Sequence, residues 1–261
     1  MNLSLKDKTA LVCGSSQGLG LATAIELASL GATCILTARN EEKLKTAVAQ
    51  LSAEAGQAHR YIVSDFSDLD EVKELAADLA LEGLVHILIN NTGGPSAGPI
   101  LEASTDAFTN AFSQHLLCNQ VLAQALVPGM IQAGYGRIIN IISTSVKAPL
   151  KNLGVSNTTR WAVAAWAKTL ATELAPHGIT VNNVLPGSTR TARLESLFSS
   201  SAAARNVSPE TIAAEWLADI PMKRFGEAQE VAAMAAFLAT PAAAYVTGTS
   251  IAVDGGKTPV S

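Results

Sequence analysis

The chain has few aromatic residues and little charge. Only 5% of its 261 residues are Phe, Trp or Tyr, and only 15% are Asp, Glu, Lys or Arg. The charges are interspersed and the formal net charge is -4. Without a basic block or an aromatic-basic stripe, nucleic acid is not an expected partner. Cysteine is scarce too. Cys13, Cys34 and Cys118 stand apart, too few for a disulfide framework and without metal-ligand spacing to one another or to a His. Small buried thiols in a reduced, cytoplasmic setting are expected, with no metal. No apolar run approaches the length of a bilayer span, and MNLSLKDKTALVCG lacks the apolar core of a signal peptide. A membrane is therefore not an expected partner.

Apolar residues are plentiful, at 48%, enough for one substantial core spanning residues 1–261. They fall into short branched runs separated by helical patterns. Strands are predicted over 8–13, 32–38, 59–63, 84–89, 179–184 and 249–253, with another around Ile138. Helices are predicted from the glycine-rich turn to Leu30, from Asn40 to near Gly56, and from Asp65 or Asp68 to Gly83. Others are predicted over 105–130, with a break near Phe108, and over 156–176 and 227–239. This alternation implies an α/β chain: a single-domain Rossmann fold, a doubly wound, mainly parallel sheet of about seven strands with helices on both faces.

Gly14-Ser15-Ser16-Gln17-Gly18-Leu19-Gly20 follows the first strand and opens a helix. Glycine lets the backbone approach a pyrophosphate, and the helix amides receive its charge. Arg39 ends the second strand, where such a site meets the adenosine ribose. An arginine there suits a 2′-phosphate, with Ser15 and Ser16 as further donors, so NADP(H) is favoured over NAD(H). A solvated strand-end arginine is the competing reading of Arg39.

Gly136 to Arg160 carries a second site. The branched run Ile138–Ile142 ends at Ser143, and a helical pattern opens thirteen residues later at Ser156-Asn157-Thr158-Thr159-Arg160. A hydroxyl at the carboxyl end of such a strand lies where open α/β sheets bind ligands.

Together these stretches resemble the short-chain dehydrogenase/reductase family, nearest its 3-oxoacyl-acyl-carrier-protein-reductase-like members. The likeness covers residues 5 to 256. It implies adenine contacts from Asp65 and Phe66, although Asp65 also suits a helix cap. Asn90-Asn91-Thr92-Gly93 resembles the family's Asn-Asn-Ala-Gly turn, with Asn91 stabilising the sheet and Thr92 and Gly93 beside a ribose. Pro186-Gly187-Ser188-Thr189-Arg190-Thr191 resembles the loop that wraps the nicotinamide and a phosphate, making Pro186, Gly187, Thr189 and Thr191 cofactor contacts.

The same resemblance implies a serine, a Tyr-x-x-x-Lys pair and an asparagine as catalytic groups. Ser143 matches the serine. Ser156 stands for the tyrosine, Arg160 for the lysine and His115 for the asparagine. An alkyl hydroxyl is a far weaker acid than a phenol, and arginine does not readily release a proton. His115, with an ordinary pKa near neutrality, is the candidate to feed protons through water; a structural histidine on a long helix is the alternative.

The Ala192 to Ile220 region resembles the family's variable lid, with Leu194, Phe198, Ile212 and Trp216 offering apolar material for an apolar or acyl-like small-molecule substrate. The resemblance also implies a homotetramer or homodimer. Three functions remain: an NADP(H)-dependent oxidoreductase acting on a carbonyl/alcohol pair through Ser143, Ser156, Arg160 and His115, a catalytically silent nucleotide-binding protein serving as sensor, scaffold or partner subunit, or a different reaction using the same bound dinucleotide.

Overall fold

A computed structural model describes residues 1–259. The strands are β1 (Thr9–Cys13), β2 (Thr33–Ala38), β3 (Arg60–Val63), β4 (Ile87–Asn90), β5 (Gly136–Ile141), β6 (Ile179–Pro186) and β7 (Ser250–Val253). The helices are α1 (Gly18–Ser29), α2 (Glu41–Val48), α3 (Leu69–Glu82), α4 (Thr105–Phe112), α5 (Cys118–Ala133), α6 (Gly154–Leu174), α7 (Ala192–Arg205), α8 (Pro209–Ala218) and α9 (Ala228–Ala239).

The strands form one parallel sheet in the order β3-β2-β1-β4-β5-β6-β7. Alternate strand residues feed opposite faces, which explains the unbroken apolar runs. Ala10 and Val12 join Leu27, Leu44 and Val231 in the core under α1, α2 and α9. Leu11 and Cys13 face the other way, toward Val72, Leu122 and Ala167 of α3, α5 and α6. A third, smaller core joins α7 to α8 through Leu194, Phe198 and Ile212. The chain runs outward from β1 to β3 and returns to β4 beside β1. This reversal opens a crevice between the carboxyl ends of β1 and β4.

Several boundaries differ from the sequence-based expectations. α2 ends at Val48 rather than near Gly56. Its good helix formers run on, but no partner buries them beyond Leu51. Asp68, not Asp65, caps α3, accepting from the amides of Asp70 and Glu71 at 2.9 and 3.4 Å. The Asp65 carboxylate instead accepts from the Ser67 amide. The long helix departs from α-geometry over Ser113–Leu117, a wide π-turn, rather than near Phe108. That helical run, Thr105–Ala133, has the length and apolarity of a bilayer span. Its inner face, with Leu122, Leu126 and Met130, is core against the sheet.

One polar row crosses this apolar sheet. Asn90, Asn140, Asn183 and Ser250 stand in register on β4 to β7. The Asn90 amide donates to Asn140 Oδ1 at 2.8 Å, that of Asn140 to Asn183 Oδ1 at 2.9 Å, and that of Asn183 to Ser250 Oγ at 3.0 Å. Each amide donor finds the next residue's oxygen, so the row survives burial, with Asn90 Oδ1 at its end unpartnered among the described residues. Asn140→Ala orphans a donor on one side and an acceptor on the other. It should cost about 2–4 kcal/mol in urea unfolding; a loss below about 1 kcal/mol would remove the row from the forces holding the sheet.

Candidate functional site

The crevice is built first from missing side chains. A Cβ on Gly14 would lie 2.5 Å from the Asn91 carbonyl oxygen, and one on Gly20 would lie 2.3 Å from the Gly14 carbonyl oxygen. Glycine is therefore obligatory at both positions for the turn to close. The Asn91 side chain enters the space and donates to the Cys13 and Gly14 carbonyls at 3.2 and 3.1 Å. α1 starts at Gly18, with no side chain capping it from Gln17. The first-turn amides of Gly18, Leu19 and Gly20 therefore present an open, positive helix end to the crevice. A Cβ at Gly18 would approach only Thr191 Cγ2, at 3.8 Å, so the glycine turn faces the loop after β6.

That loop is held in shape. The Gly187 amide donates to Val253 O, and the Thr189 hydroxyl donates to Gly187 O. Thr191 donates to Thr189 O and caps α7 by accepting from the Leu194 amide. Pro186 closes β6.

At the adenosine end, Arg39 is exposed beyond β2, and its charge helps hold the Asp65 carboxyl below its ordinary pKa, after the larger effect of the Ser67 amide. Phe66 is buried, its carbonyl accepting from the Cys118 thiol. Ser16 and Gln17 line a cleft of about 360 Å³ with Glu42, Lys43 and Thr46 of α2 and Gln50 just beyond it. Ser15 does not share this role. Its hydroxyl donates to Val12 O at 2.7 Å and accepts from the Thr37 amide at 3.1 Å, and its own amide donates to Thr37 O. Ser15 is wholly buried between β1 and β2, so the expected phosphate contact is replaced by a joint between strands.

Thr92, Gly93 and Gly94 follow β4. Among the described residues nothing approaches within 4 Å of a Cβ built on Gly93, which leaves room for a ligand. The Thr92 hydroxyl pairs with His115 Nδ1. His115 sits on the π-turn, only 2% exposed, and its Nε2 is buried without a partner. Burial, and then the charge of Arg160, push its pKa down to about 2. The expectation of a histidine titrating near neutrality is therefore overturned: at pH 7 it is a neutral donor-acceptor and holds no spare proton.

Ser143 is half-buried just beyond β5, its oxygen accepting from the Ser145 amide at 3.1 Å. Ser156 is half-buried in the first turn of α6. The intervening loop is fixed to that helix. Asn157 clasps both the amide and the carbonyl of Leu150, and Trp161 Nε1 donates to Ser145 O at 2.9 Å. Arg160 stands one helical turn beyond Ser156 on the same face. It is 8% exposed, with Nη1 3.4 Å from Ile141 O and its Nε unpartnered. Burial, then the nearby Arg193 charge, lower its pKa to about 10, so it remains a cation at pH 7.

The sequence reading missed Arg193. Its Nη2 donates to Pro95 O at 2.6 Å, joining α7 to the turn after β4. One signal was available: a basic residue in the first turn of a helix works against the helix dipole and needs another reason to be there. The structure pairs Thr92 with His115 and brings Gly18 up to Thr191 across the crevice, while Ser143 follows β5 and Ser156 and Arg160 lie in the opening turns of α6.

The His115 shift has a consequence for pH. The unfolded side chain takes up a proton below about pH 6.5, whereas the folded one does not, so stability falls as pH falls through that value. Between pH 7 and pH 5 this group should cost about 2 kcal/mol. His115→Asn should flatten the unfolding free energy over that interval by that amount relative to the unsubstituted chain. Parallel curves for the two proteins would show that His115 is protonated in the fold.

Comparison with known proteins agrees with this geometry. Residues 14–258 match the family model described as enoyl-(acyl carrier protein) reductase. The NADPH-dependent reductase BacG of Bacillus subtilis is 30% identical over 255 residues, covering 97% of this chain and 98% of that protein. The 3-oxoacyl-[acyl-carrier-protein] reductase FabG of Vibrio harveyi is 31% identical over 256 residues, covering 97% and 98%. The crystal structure of L-sorbose reductase from Gluconobacter frateurii, complexed with NADPH and L-sorbose, superposes with a TM-score of 0.92 at 29% identity and covers 100% of both chains. With its sheet order, its glycine turn clamped by Asn91 and a match running almost from end to end, the chain belongs to the short-chain dehydrogenase/reductase family of oxidoreductases.

Proposed function

We propose that the protein is an NADP(H)-dependent oxidoreductase acting on a carbonyl/alcohol pair through an atypical active site. One observation carries the reading: the uncapped α1 terminus and its two obligatory glycines form a phosphate cradle at the sheet's switch point. Residues along the cleft fit the rest of the cofactor. Asp65 and Phe66 would flank the adenine, and Arg39 with Ser16 would take the 2′-phosphate. Thr92, Gly93 and Arg160 would hold the nicotinamide ribose, with Pro186, Gly187, Thr189 and Thr191 around its amide. The NADPH named for BacG and for the L-sorbose reductase complex supports the choice of NADP(H) over NAD(H).

When bound, the nicotinamide supplies or accepts hydride. Ser143 donates a hydrogen bond to the substrate oxygen, polarising the carbonyl. Arg160 replaces the family's lysine, orients the ribose and stabilises negative charge developing nearby. Ser156 replaces the tyrosine. Its hydroxyl is too weak an acid to release a proton unaided, so water beside it completes the transfer. His115 is neutral and orients that water through Nε2 rather than protonating it. The α7–α8 pair acts as the lid for an apolar or acyl-like substrate. Copies associate through the exposed faces of α4 and α6, where Phe112 and Trp161 lie.

A second reading, a silent nucleotide-binding protein, is favoured by the charge states: Arg160 stays protonated and His115 stays neutral near pH 7, so neither exchanges a proton readily. The two readings separate in an absorbance screen of ketones, aldehydes, alcohols and sugars with NADPH and NADH. Turnover reduced about a hundredfold by Ser143→Ala, the loss typical of one oxyanion donor, supports the enzyme. Nucleotide binding without turnover of any substrate would leave the silent reading. Arg39→Asp should weaken NADPH about tenfold or more while changing NADH little, as judged by calorimetry. Equal losses for both would remove Arg39 from 2′-phosphate recognition.

A further inference from the structure

Helix α2 opens with two acids and carries two lysines, and the lysines are partnered differently. Lys45 takes both acids. Its Nζ lies 3.3 Å from Glu41 Oε1 and 2.8 Å from Glu42 Oε1, the neighbours one turn back on the helix. Glu41 also accepts from the Tyr61 hydroxyl at 3.0 Å. Among the described residues no carboxylate makes a salt bridge with Lys43. Its Nζ crosses instead to the glycine turn and donates to Gln17 Oε1 at 3.1 Å. A neutral oxygen occupies one of the three ammonium donors and leaves the charge unbalanced.

That charge stands on the wall of the cleft between the glycine turn and α2, which has a volume of about 360 Å³. Lys43 and Thr46, one turn apart, line it from α2, and Ser16 and Gln17 line it from the opposite side. Glu42 is the one acid on the wall, and its carboxylate is held by Lys45. The wall continues into Arg39, which follows β2, and the join is fixed. Asn40 caps α2, its Oδ1 accepting from the Lys43 amide at 2.9 Å. Arg39 and Lys43 thus belong to one capped turn, the arginine just before the cap and the lysine three residues after it.

A phosphate monoester carries a charge of about -1.5 to -2 near neutral pH, more than one arginine balances. The forked guanidinium suits two of its oxygens and a mobile ammonium suits the third. The other phosphates of a dinucleotide have their own donors in the open amides of Gly18, Leu19 and Gly20. Ser15 is spent between β1 and β2 and contributes nothing here. We propose that Lys43, steered across the cleft by Gln17, is a second specificity-determining cation for the 2′-phosphate of NADP(H), sharing with Arg39 a dianion that neither balances alone. The proposal rests on the NADP(H) reading of Arg39 above and adds to it a residue on a different element.

Adenosine 2′,5′-bisphosphate and 5′-AMP differ only in the 2′-phosphate, so calorimetric titration of the whole chain with each isolates that group. The unsubstituted chain should bind the bisphosphate about tenfold or more tightly than AMP. Lys43→Met should weaken the bisphosphate and NADPH about fivefold, the scale of one exposed charge contact, while AMP and NADH stay within about twofold. Lys43→Arg should keep most of the affinity, since the charge remains. Gln17→Leu should lose part of the preference for the bisphosphate in the unsubstituted chain and none further in Lys43→Met. Unchanged bisphosphate affinity in Lys43→Met would overturn the proposal. So would equal losses for the bisphosphate and AMP, which would give the lysine to the shared 5′-phosphate. The two readings fail separately. A preference lost in Arg39→Asp but untouched in Lys43→Met removes Lys43 alone, whereas no preference in the unsubstituted chain removes the 2′-phosphate reading and the role of Lys43 with it.

Discussion

The Asn91 carboxamide bonds the carbonyls of Cys13 and Gly14, and the cleft takes its form from that clamp. It ties the end of β4 to the end of β1 where the sheet reverses direction. The clamp works only because Gly14 and Gly20 have no side chains: a Cβ on either would come within 2.9 Å of Asn91 Nδ2. The glycines therefore serve two purposes. They admit the clamp from the protein side, and they leave the start of α1 open on the cleft side. Closing the turn on Asn91 fixes the helix axis and aims its free amides at the crevice.

The polar row through Asn90, Asn140 and Asn183 extends the same logic across the sheet. The row's bonds form only if the strands keep register, so it locks β4, β5 and β6 together near their carboxyl ends. Thr92 follows β4, Ser143 follows β5 and Pro186 ends β6. A one-residue slip would break the row and move each of these groups. A rigid buried network thus sits directly beneath a cleft whose own polar groups, Arg160 Nε and His115 Nε2, lack partners. The row's three amide donors are spent on the scaffold, with Asn90 Oδ1 at its end unpartnered among the described residues.

Much of this could be read from residue order. Strand runs such as ALVC and IINI marked the sheet, and the glycine turn showed its strand–turn–helix setting directly. Ser143, Ser156 and Arg160 were located by spacing, and the first lies just beyond β5 while the other two lie in the opening turns of α6. Other assignments failed for identifiable reasons. Ser15 looked like a phosphate donor because its hydroxyl lies in the glycine turn, but its direction is set by β2, whose Thr37 amide claims it. His115 looked titratable because local sequence carries no measure of burial or of a cation on another helix. Arg193 went unnoticed because its hydrogen-bond partner, Pro95, is distant in the chain.

The sequence by itself determined the family, the order of strands and helices, and the positions of the glycines, since these follow from local periodicity and from backbone conformations open to few residue types. Only the tertiary structure decided which polar groups are spent and which are free. Hydrogen bonding and desolvation are properties of surroundings assembled from distant segments. Asn91, Ser15 and the asparagine row are consumed in holding the fold. Arg160 and His115 are left buried, with Arg160 Nε and His115 Nε2 finding no partner among the described residues.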